Sequence, residues 1–183
     1  RIFHNSGCAS MGFELPAAIG AFHASQQPIT CLAGDGSIMM NLQELSIIGI
    51  HSYPIKIILI NNKGYHSIRQ TQNHYFPGNL VGCGPDSGLP FPKYKALSQA
   101  FEIHYSSVSN ELHLDEALAS LYSTSFPEIL DVYIDQDQQF SPKLSSRRLS
   151  NGEMVSASLE DMSPHLSRKD LLTLRTEAFN IQL

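Results

Sequence analysis

The chain has 183 residues, and its 12 Lys and Arg against 17 Asp and Glu give a formal net charge of −5. We do not expect such an acidic chain to bind nucleic acid or an anionic membrane surface through bulk charge. With 42% hydrophobic and 16% charged residues, the composition is that of a folded domain and excludes a disordered chain.

The first half of the chain alternates between predicted helices and strands. Residues 15–24 are rich in Ala and Ile, with a Pro near the start, and are predicted to form a helix. Residues 28–33 form an apolar run that stops at a Gly-Asp-Gly turn, as a buried strand does. The apolar spacing over 41–50 predicts a second helix, and the β-branched run 55–60 predicts a central parallel strand buried on both faces.

The second half continues this alternation. Residues 94–101 and 114–122 are predicted to be helical, whereas 105–108 and 129–134 are predicted to be extended. Strands that alternate with helices indicate an α/β fold, with a doubly wound, mostly parallel sheet and helices on both faces.

The remaining segments define the expected domain organisation. Residues 77–92 are rich in Gly and Pro and are predicted to be a surface loop, and the chain becomes polar after Pro142. We therefore predict a compact domain over residues 1–142 and a C-terminal tail over 143–183 that could dock on a partner. The chain starts without Met or a secretory pattern, so we expect it to be part of a longer polypeptide.

Composition also suggests a cellular setting. The longest uncharged apolar run, 57–60, is far shorter than the ~20 residues that cross a bilayer, so no membrane association is expected. The three cysteines are odd in number and lack CxxC spacing, which argues against a disulfide framework or a zinc site. We expect a cytoplasmic protein.

Two turns at the ends of neighbouring predicted strands carry the candidate chemistry. One is Gly34-Asp35-Gly36-Ser37 and the other is Asn61-Asn62-Lys63-Gly64. Glycine lets backbone N–H groups approach an anion, the start of a helix adds partial positive charge, and the Asp supplies an oxygen for magnesium. The turns together predict a site for a diphosphate and a metal ion, although a Gly-Asp-Gly turn alone more often has a purely structural role.

The whole pattern resembles the magnesium–diphosphate motif of thiamine diphosphate enzymes. The segment Met39-Met40-Asn41-Leu42-Gln43-Glu44-Leu45 is similar to the acetolactate synthase group, as are residues 6–13 and 15–21. This resemblance covers residues 6–135 and implies a thiamine diphosphate-binding fold, with thiamine diphosphate and Mg²⁺ as cofactors.

The resemblance also implies the site residues. Asp35, the Asn62 side chain and the Gly64 carbonyl would bind Mg²⁺. Met11 is the implied catalytic residue, because the family places a large apolar residue under the cofactor that bends its two rings into a V; taken alone, Met11 would be interpreted as a core residue. The Ala9 carbonyl would accept a hydrogen bond from the cofactor amino group. The N–H groups of Gly36 and Ser37 would hold phosphate. The complete cofactor-binding set implied is Ala9, Met11, Gly34, Asp35, Gly36, Ser37, Asn62, Gly64, Tyr65 and His66.

The implied function is that of the C-terminal cofactor-binding domain of a 2-ketoacid decarboxylase or carboligase, a lyase or transferase. In this family the activating Glu lies on a pyrimidine-binding domain, which we do not find in the chain. That domain would come from the same or another chain, in a homodimer or homotetramer, and this segment alone is expected to be inactive. Two alternatives remain open: an acyl-CoA lyase resembling oxalyl-CoA decarboxylase, and a non-catalytic assembly module that retains the cofactor site.

The sequence departs from acetolactate synthases after the Asn pair. Those enzymes carry a Trp that shapes the acceptor pocket, where this chain has Thr71 and contains no Trp at all. His66 and Arg69 lie in the same polar segment. Each is a candidate for contacting a substrate carboxylate, sugar hydroxyl or phosphate, although residues of this kind more often have a structural or solvated role.

Overall fold

The structure is a computed structural model that describes residues 1–144, 146–148 and 150–180. The chain divides into two compact units, Arg1–Gln136 and Asp137–Leu183. The boundary predicted after residue 142 falls within the second unit, and positions 145, 149 and 181–183 of the predicted tail lie outside the described residues.

The first unit follows the alternation of helices and strands that the sequence predicts. Short 3-10 turns occur at Met39–Asn41, Pro85–Ser87 and Glu111–His113. The helices and strands in chain order are α1 (Glu14–Ser25), β1 (Ile29–Gly34), α2 (Asp35–Ile38), α3 (Glu44–Ile50), β2 (Ile55–Asn61), α4 (His66–Tyr75), α5 (Tyr94–Ala100), β3 (His104–Val108), α6 (Leu114–Tyr122) and β4 (Glu128–Tyr133).

One predicted helix is shorter than the apolar spacing indicates. The helix expected over 41–50 begins only at Glu44, and the helical path starts earlier, at Asp35, in short pieces. Where the pieces meet, hydrogen bonds join residues three apart, as in a 3-10 helix. The Leu45 N–H donates to the Leu42 carbonyl and the Ser46 N–H donates to the Gln43 carbonyl. Apolar periodicity does not distinguish such tighter turns from a regular helix.

The four strands form one parallel sheet in the order β1-β2-β4-β3. As predicted, β2 is a central strand. The register pairs Gly34 of β1 with Ile60 of β2, and Ile60 with Val132 of β4. Because all strands run in the same direction, the turns after β1 and β2 leave the sheet at the same edge.

Helices pack on both faces of this sheet. The larger core lies between the sheet and α1, α3 and α5, and includes the fully buried Leu45 and Ile57. On the other face α6 packs through Leu121 against Leu130. Leu32 of β1 also points away from the larger core and remains 66% exposed.

The second unit contains more regular structure than its turn-rich sequence predicts. Strands β5 (Ser146–Arg148) and β6 (Met154–Ser156) form an antiparallel hairpin, and α7 (Arg168–Asn180) follows. Asp161 is buried, and its carboxylate accepts a 2.6 Å hydrogen bond from Arg168. This hydrogen bond lowers the pKa of Asp161 and ties the start of α7 to the preceding loop.

Candidate functional site

The GDGS turn (residues 34–37) leads from β1 directly into α2. Asp35 is the first residue of α2 and is only 2% exposed. Its Oδ1 accepts a 2.8 Å hydrogen bond from the Gly36 N–H, and its Oδ2 accepts one of 2.8 Å from the Gly64 N–H. The Tyr94 hydroxyl donates a 2.7 Å hydrogen bond to the Asp35 carbonyl. The carboxylate is thus fixed at the junction between the ends of β1 and β2.

The surroundings of Asp35 shift the pKa of its carboxyl. Burial raises the pKa of the Asp35 carboxyl above its ordinary value. Hydrogen bonds from the N–H groups of Gly64 and Gly36 oppose this rise without cancelling it, and so does the positive charge of Arg69. A divalent cation at this carboxylate would stabilise its charged form.

The NNKG loop (residues 61–64) follows β2, and its two asparagines differ. The Asn61 side chain donates a 3.0 Å hydrogen bond to Asp131 Oδ1 and accepts one of 3.2 Å from the Lys63 N–H, so it is engaged inside the fold. The Asn62 Oδ1 is buried without a hydrogen-bond partner among the described residues. An amide oxygen removed from water and left without a donor fits a magnesium ligand, since Mg²⁺ prefers oxygen ligands.

Two glycines allow the GDGS turn and the NNKG loop to approach each other. A Cβ on Gly36 would lie 2.3 Å from the Tyr65 ring. Gly64 has a φ of +140°, and a Cβ there would lie 2.0 Å from the Cys83 carbonyl oxygen. Cys83 belongs to the predicted surface loop 77–92, yet it is buried, and its carbonyl accepts a 2.8 Å hydrogen bond from the Tyr65 N–H.

The loop that carries Met11 is attached to the same turn. The Gly12 N–H donates a 3.0 Å hydrogen bond to the Ser37 hydroxyl, and the Asn41 side chain donates one of 2.7 Å to the Gly12 carbonyl. Met11 is 44% exposed, so it is not the core residue that its hydrophobicity alone would suggest. Ala9, on the same loop, is also exposed and has a positive φ of 48°. The loop therefore presents both residues beside the GDGS turn.

The residues after the NNKG loop are more buried than a substrate-facing segment would be. Tyr65 is half-buried and contacts Phe91 with ring centroids 5.9 Å apart, and His66 is 8% exposed at the start of α4. Arg69 is 7% exposed, and its guanidinium donates to main-chain carbonyls. The substrate-contacting role considered for Arg69 is therefore wrong for this conformation, and the structural role applies.

The sequence did not point to several residues that shape the site. Asp131, Tyr94 and Asn41 hold parts of the site in place through side-chain hydrogen bonds. Their partners lie 70, 59 and 29 positions away in the sequence, so no local pattern links them. Asn41 does lie in the acetolactate synthase-like segment, which was the only available signal for it.

A cavity of about 260 Å³ opens at the same edge of the sheet. Asp35 is part of its wall, together with aromatic rings and lysines. The lining residues are Asp35, Asn61, Lys63, Pro85, Phe91, Pro92, Lys93, Tyr94, Lys95, Tyr105 and Tyr133. Met11 and Ser37 are not among the residues that line this cavity.

Comparisons with known proteins identify the family of the chain. Residues 1–132 match the family model described as thiamine pyrophosphate enzyme, C-terminal TPP binding domain. The chain is 34% identical to the acetolactate synthase isozyme 2 large subunit of Escherichia coli over 152 residues, and 31% identical to the acetolactate synthase large subunit of Porphyra purpurea. These matches cover 82% of the chain and 27% and 25% of the two relatives.

A solved structure extends the comparison to the fold. The thiamine diphosphate-dependent 4-hydroxybenzoylformate decarboxylase of Rhodococcus jostii RHA1 aligns with a TM-score of 0.63 and 25% identity. The alignment covers 72% of the chain and 24% of the decarboxylase.

A parallel sheet that brings a GDGS turn and an NNKG loop into hydrogen-bond contact defines a diphosphate- and metal-binding class of α/β domain. The chain belongs to the thiamine pyrophosphate enzymes, as their C-terminal TPP-binding domain. It spans about a quarter of the length of the curated relatives that it matches. Within the described residues, every helix is too short or too polar to cross a bilayer.

Proposed function

We propose that this chain holds Mg²⁺ and the diphosphate end of thiamine diphosphate in a 2-ketoacid decarboxylase or carboligase. The observation that carries the proposal is the 2.8 Å hydrogen bond from the Gly64 N–H to Asp35 Oδ2. It joins the two turns from which every proposed metal ligand comes. The buried, unpartnered Asn62 Oδ1 on one of these turns supports the same assignment.

The roles of the residues follow from their chemistry. Asp35, the Asn62 side chain and the Gly64 carbonyl would bind Mg²⁺, an oxygen-only set that suits this ion better than zinc. The N–H groups of Gly36 and Ser37 would hold the phosphates. The Gly36 N–H would then leave the hydrogen bond that it donates to Asp35 Oδ1 in this structure.

A second group of residues would face the organic part of the cofactor. Met11 would support its bent conformation, the Ala9 carbonyl would accept from its amino group, and Tyr65 and His66 would border it on the α4 side. The exposure of Met11 is consistent with a side chain that contacts a ligand. Thiamine diphosphate, when bound, supplies the carbon nucleophile and electron sink for decarboxylating a 2-ketoacid.

The proposal includes a partner domain. Phe3, Met11, Phe13 and Met40 are each 40–55% exposed, and Phe3 and Phe13 contact each other edge to face. A pyrimidine-binding domain from the same or another chain would cover these apolar side chains and supply the activating carboxylate, in a homodimer or homotetramer. Three free cysteines among the described residues are consistent with a reducing, cytoplasmic setting.

Turnover by the full-length protein tests the function. With thiamine diphosphate and Mg²⁺ present, a series of 2-ketoacids beginning with pyruvate is assayed for carbon dioxide release, and for acetoin or acetolactate. We expect release with at least one 2-ketoacid. Cofactor binding without turnover on any member of the series would instead support the non-catalytic assembly module.

A further inference from the structure

Arg69 is a buried cation, and within the described part of the chain its hydrogen bonds go to the main chain. It lies on α4 and is 7% exposed. Its Nη2 donates to the Lys63 carbonyl at 2.9 Å, and its Nη1 donates to the carbonyls of Asn62 and Gln136 at 3.3 and 3.4 Å. Charge-assisted hydrogen bonds of this kind are stronger than those between neutral groups. Two of the three acceptors belong to the NNKG loop.

Each of the two NNKG-loop peptide groups that Arg69 contacts is also held at its N–H end. The peptide that carries the Asn62 carbonyl has its N–H on Lys63, which donates to Asn61 Oδ1 at 3.2 Å. The peptide that carries the Lys63 carbonyl has its N–H on Gly64, which donates to Asp35 Oδ2 at 2.8 Å. Both consecutive peptide planes are therefore fixed on the carbonyl side by Arg69 and on the N–H side by a side-chain oxygen.

The fixed peptides lie between the proposed metal ligands. Asn62 precedes them and Gly64 follows them, so their orientation sets where the Asn62 side chain and the Gly64 carbonyl point. Without the guanidinium, both carbonyls would lose a charged donor, and the loop could rotate its peptides away from Asp35. Mg²⁺ requires near-ideal octahedral geometry, so it is sensitive to such a displacement.

We propose that Arg69 is a positioning residue for the Mg²⁺ site, acting through the NNKG loop; this inference rests on the proposed function. Its planar guanidinium reaches carbonyls of the loop and of Gln136 from two nitrogens at once. A Lys ammonium is a compact point charge on a flexible stem and cannot reproduce this fork. Residues that orient metal ligands without touching the metal typically contribute 10- to 100-fold to metal affinity.

The test is a calorimetric titration of Mg²⁺ into the full-length protein at saturating thiamine diphosphate. We expect Arg69→Met to weaken the Mg²⁺ affinity roughly 10- to 100-fold, and Arg69→Lys to fall between Arg69→Met and the wild type. The control is Leu121→Ala, a fully buried core residue on α6, which should lower the melting temperature and leave the Mg²⁺ affinity unchanged.

Wild-type Mg²⁺ affinity in Arg69→Met would overturn the inference. An equal loss in Leu121→Ala at a matched drop in melting temperature would do the same, because the effect would then reflect stability alone. If Arg69→Met does not fold, Arg69→Lys decides, and wild-type affinity in that variant contradicts the positioning role. Failure of the wild type itself to bind Mg²⁺ with the cofactor would refute the proposed function, whereas equal Mg²⁺ affinity in the wild type and the Arg69 variants would refute only this inference.

Discussion

Asp35 and Gly64 lie on different strand ends and are joined by a 2.8 Å hydrogen bond from the Gly64 N–H to the Asp35 carboxylate. The two residues are 29 positions apart in the sequence. The parallel pairing of β1 with β2 brings their turns to one edge, and the absence of a side chain at Gly64 lets its loop pack against the Cys83 carbonyl. The contact therefore depends on the sheet register and on the backbone freedom of one glycine.

Gly64→Ala should disrupt the site. The new Cβ would lie 2.0 Å from the Cys83 carbonyl oxygen, at a φ of +140° that L-residues rarely adopt. We expect a loss of about 1–3 kcal/mol in the free energy of unfolding from this strain, and a weaker Mg²⁺ affinity because the loop must move away from Asp35. Urea unfolding and a Mg²⁺ titration measure the two effects.

The matched control is Gly20→Ala. Gly20 is exposed within α1, and a Cβ there would meet no atom within 4 Å. Ala favours a helix interior over Gly, so this variant should gain about 0.5–1 kcal/mol and bind Mg²⁺ as the wild type does. Equal Mg²⁺ affinity in the two alanine variants would show that the backbone at Gly64 does not shape the site.

Lys56→Met should destabilise the domain. Lys56 lies near the start of β2, at the end of the sheet opposite to the GDGS turn and the NNKG loop. Lys56 is 4% exposed, donates 2.7 Å hydrogen bonds to Thr124 and to the Phe126 carbonyl, and lies 3.8 Å from the buried Glu128 carboxylate. Removing the cation leaves the Glu128 carboxylate buried without its counter-charge, although the Ser106 hydroxyl still donates a hydrogen bond to it. We expect the free energy of unfolding to fall by about 3–5 kcal/mol.

Urea denaturation of Lys56→Met and of the double variant Lys56→Met/Glu128→Gln measures this cost. The double variant should recover part of the loss, since it no longer buries an uncompensated charge. The interpretation is wrong if Lys56→Met alone is as stable as the wild type.

Cys31 should resist alkylation in the folded protein. Burial, together with the negative charge of Glu14, raises the pKa of the Cys31 thiol to about 12. Only about one molecule in ten thousand would carry the reactive thiolate at pH 8. Iodoacetamide labelling followed by peptide mass spectrometry should therefore modify the exposed Cys8 and spare Cys31, even as the pH rises to about 10.

Labelling in guanidinium chloride provides the reference for Cys31. There both Cys8 and Cys31 should react, because unfolding returns the Cys31 pKa to its ordinary value. Cys31 labelling at the rate of Cys8 under native conditions would contradict the buried position of β1 in the core.

The elements and turns that local patterns encode were predictable from the sequence. The apolar run before Gly34 and the β-branched run before Asn61 locate β1 and β2 within one residue at each end. A strand that ends at a turn rich in Gly or Asn leaves a local signal, so the GDGS turn and the NNKG loop could be assigned to strand ends and to one edge.

The supporting contacts were not predictable, because they depend on packing between distant segments. Nothing near Tyr94 indicates that its hydroxyl binds the Asp35 carbonyl. Asp131 looks like an ordinary strand residue until β4 pairs with β2 and brings it to Asn61. The charge of Arg69 and its polar sequence neighbours are typical of a substrate-facing residue. Only the fold shows that loop carbonyls accept its hydrogen bonds.

Calorimetric titration of Mg²⁺ into the full-length protein with thiamine diphosphate, comparing the wild type with Asp35→Asn, tests the central claim most directly. The substitution keeps the size of the side chain and removes its charge, and Asp86→Asn on an exposed turn makes the same change at a residue that is not a proposed ligand. The account predicts that Asp35→Asn loses Mg²⁺-dependent cofactor binding while Asp86→Asn retains it. Unchanged Mg²⁺ affinity in Asp35→Asn would contradict the assignment of the metal site.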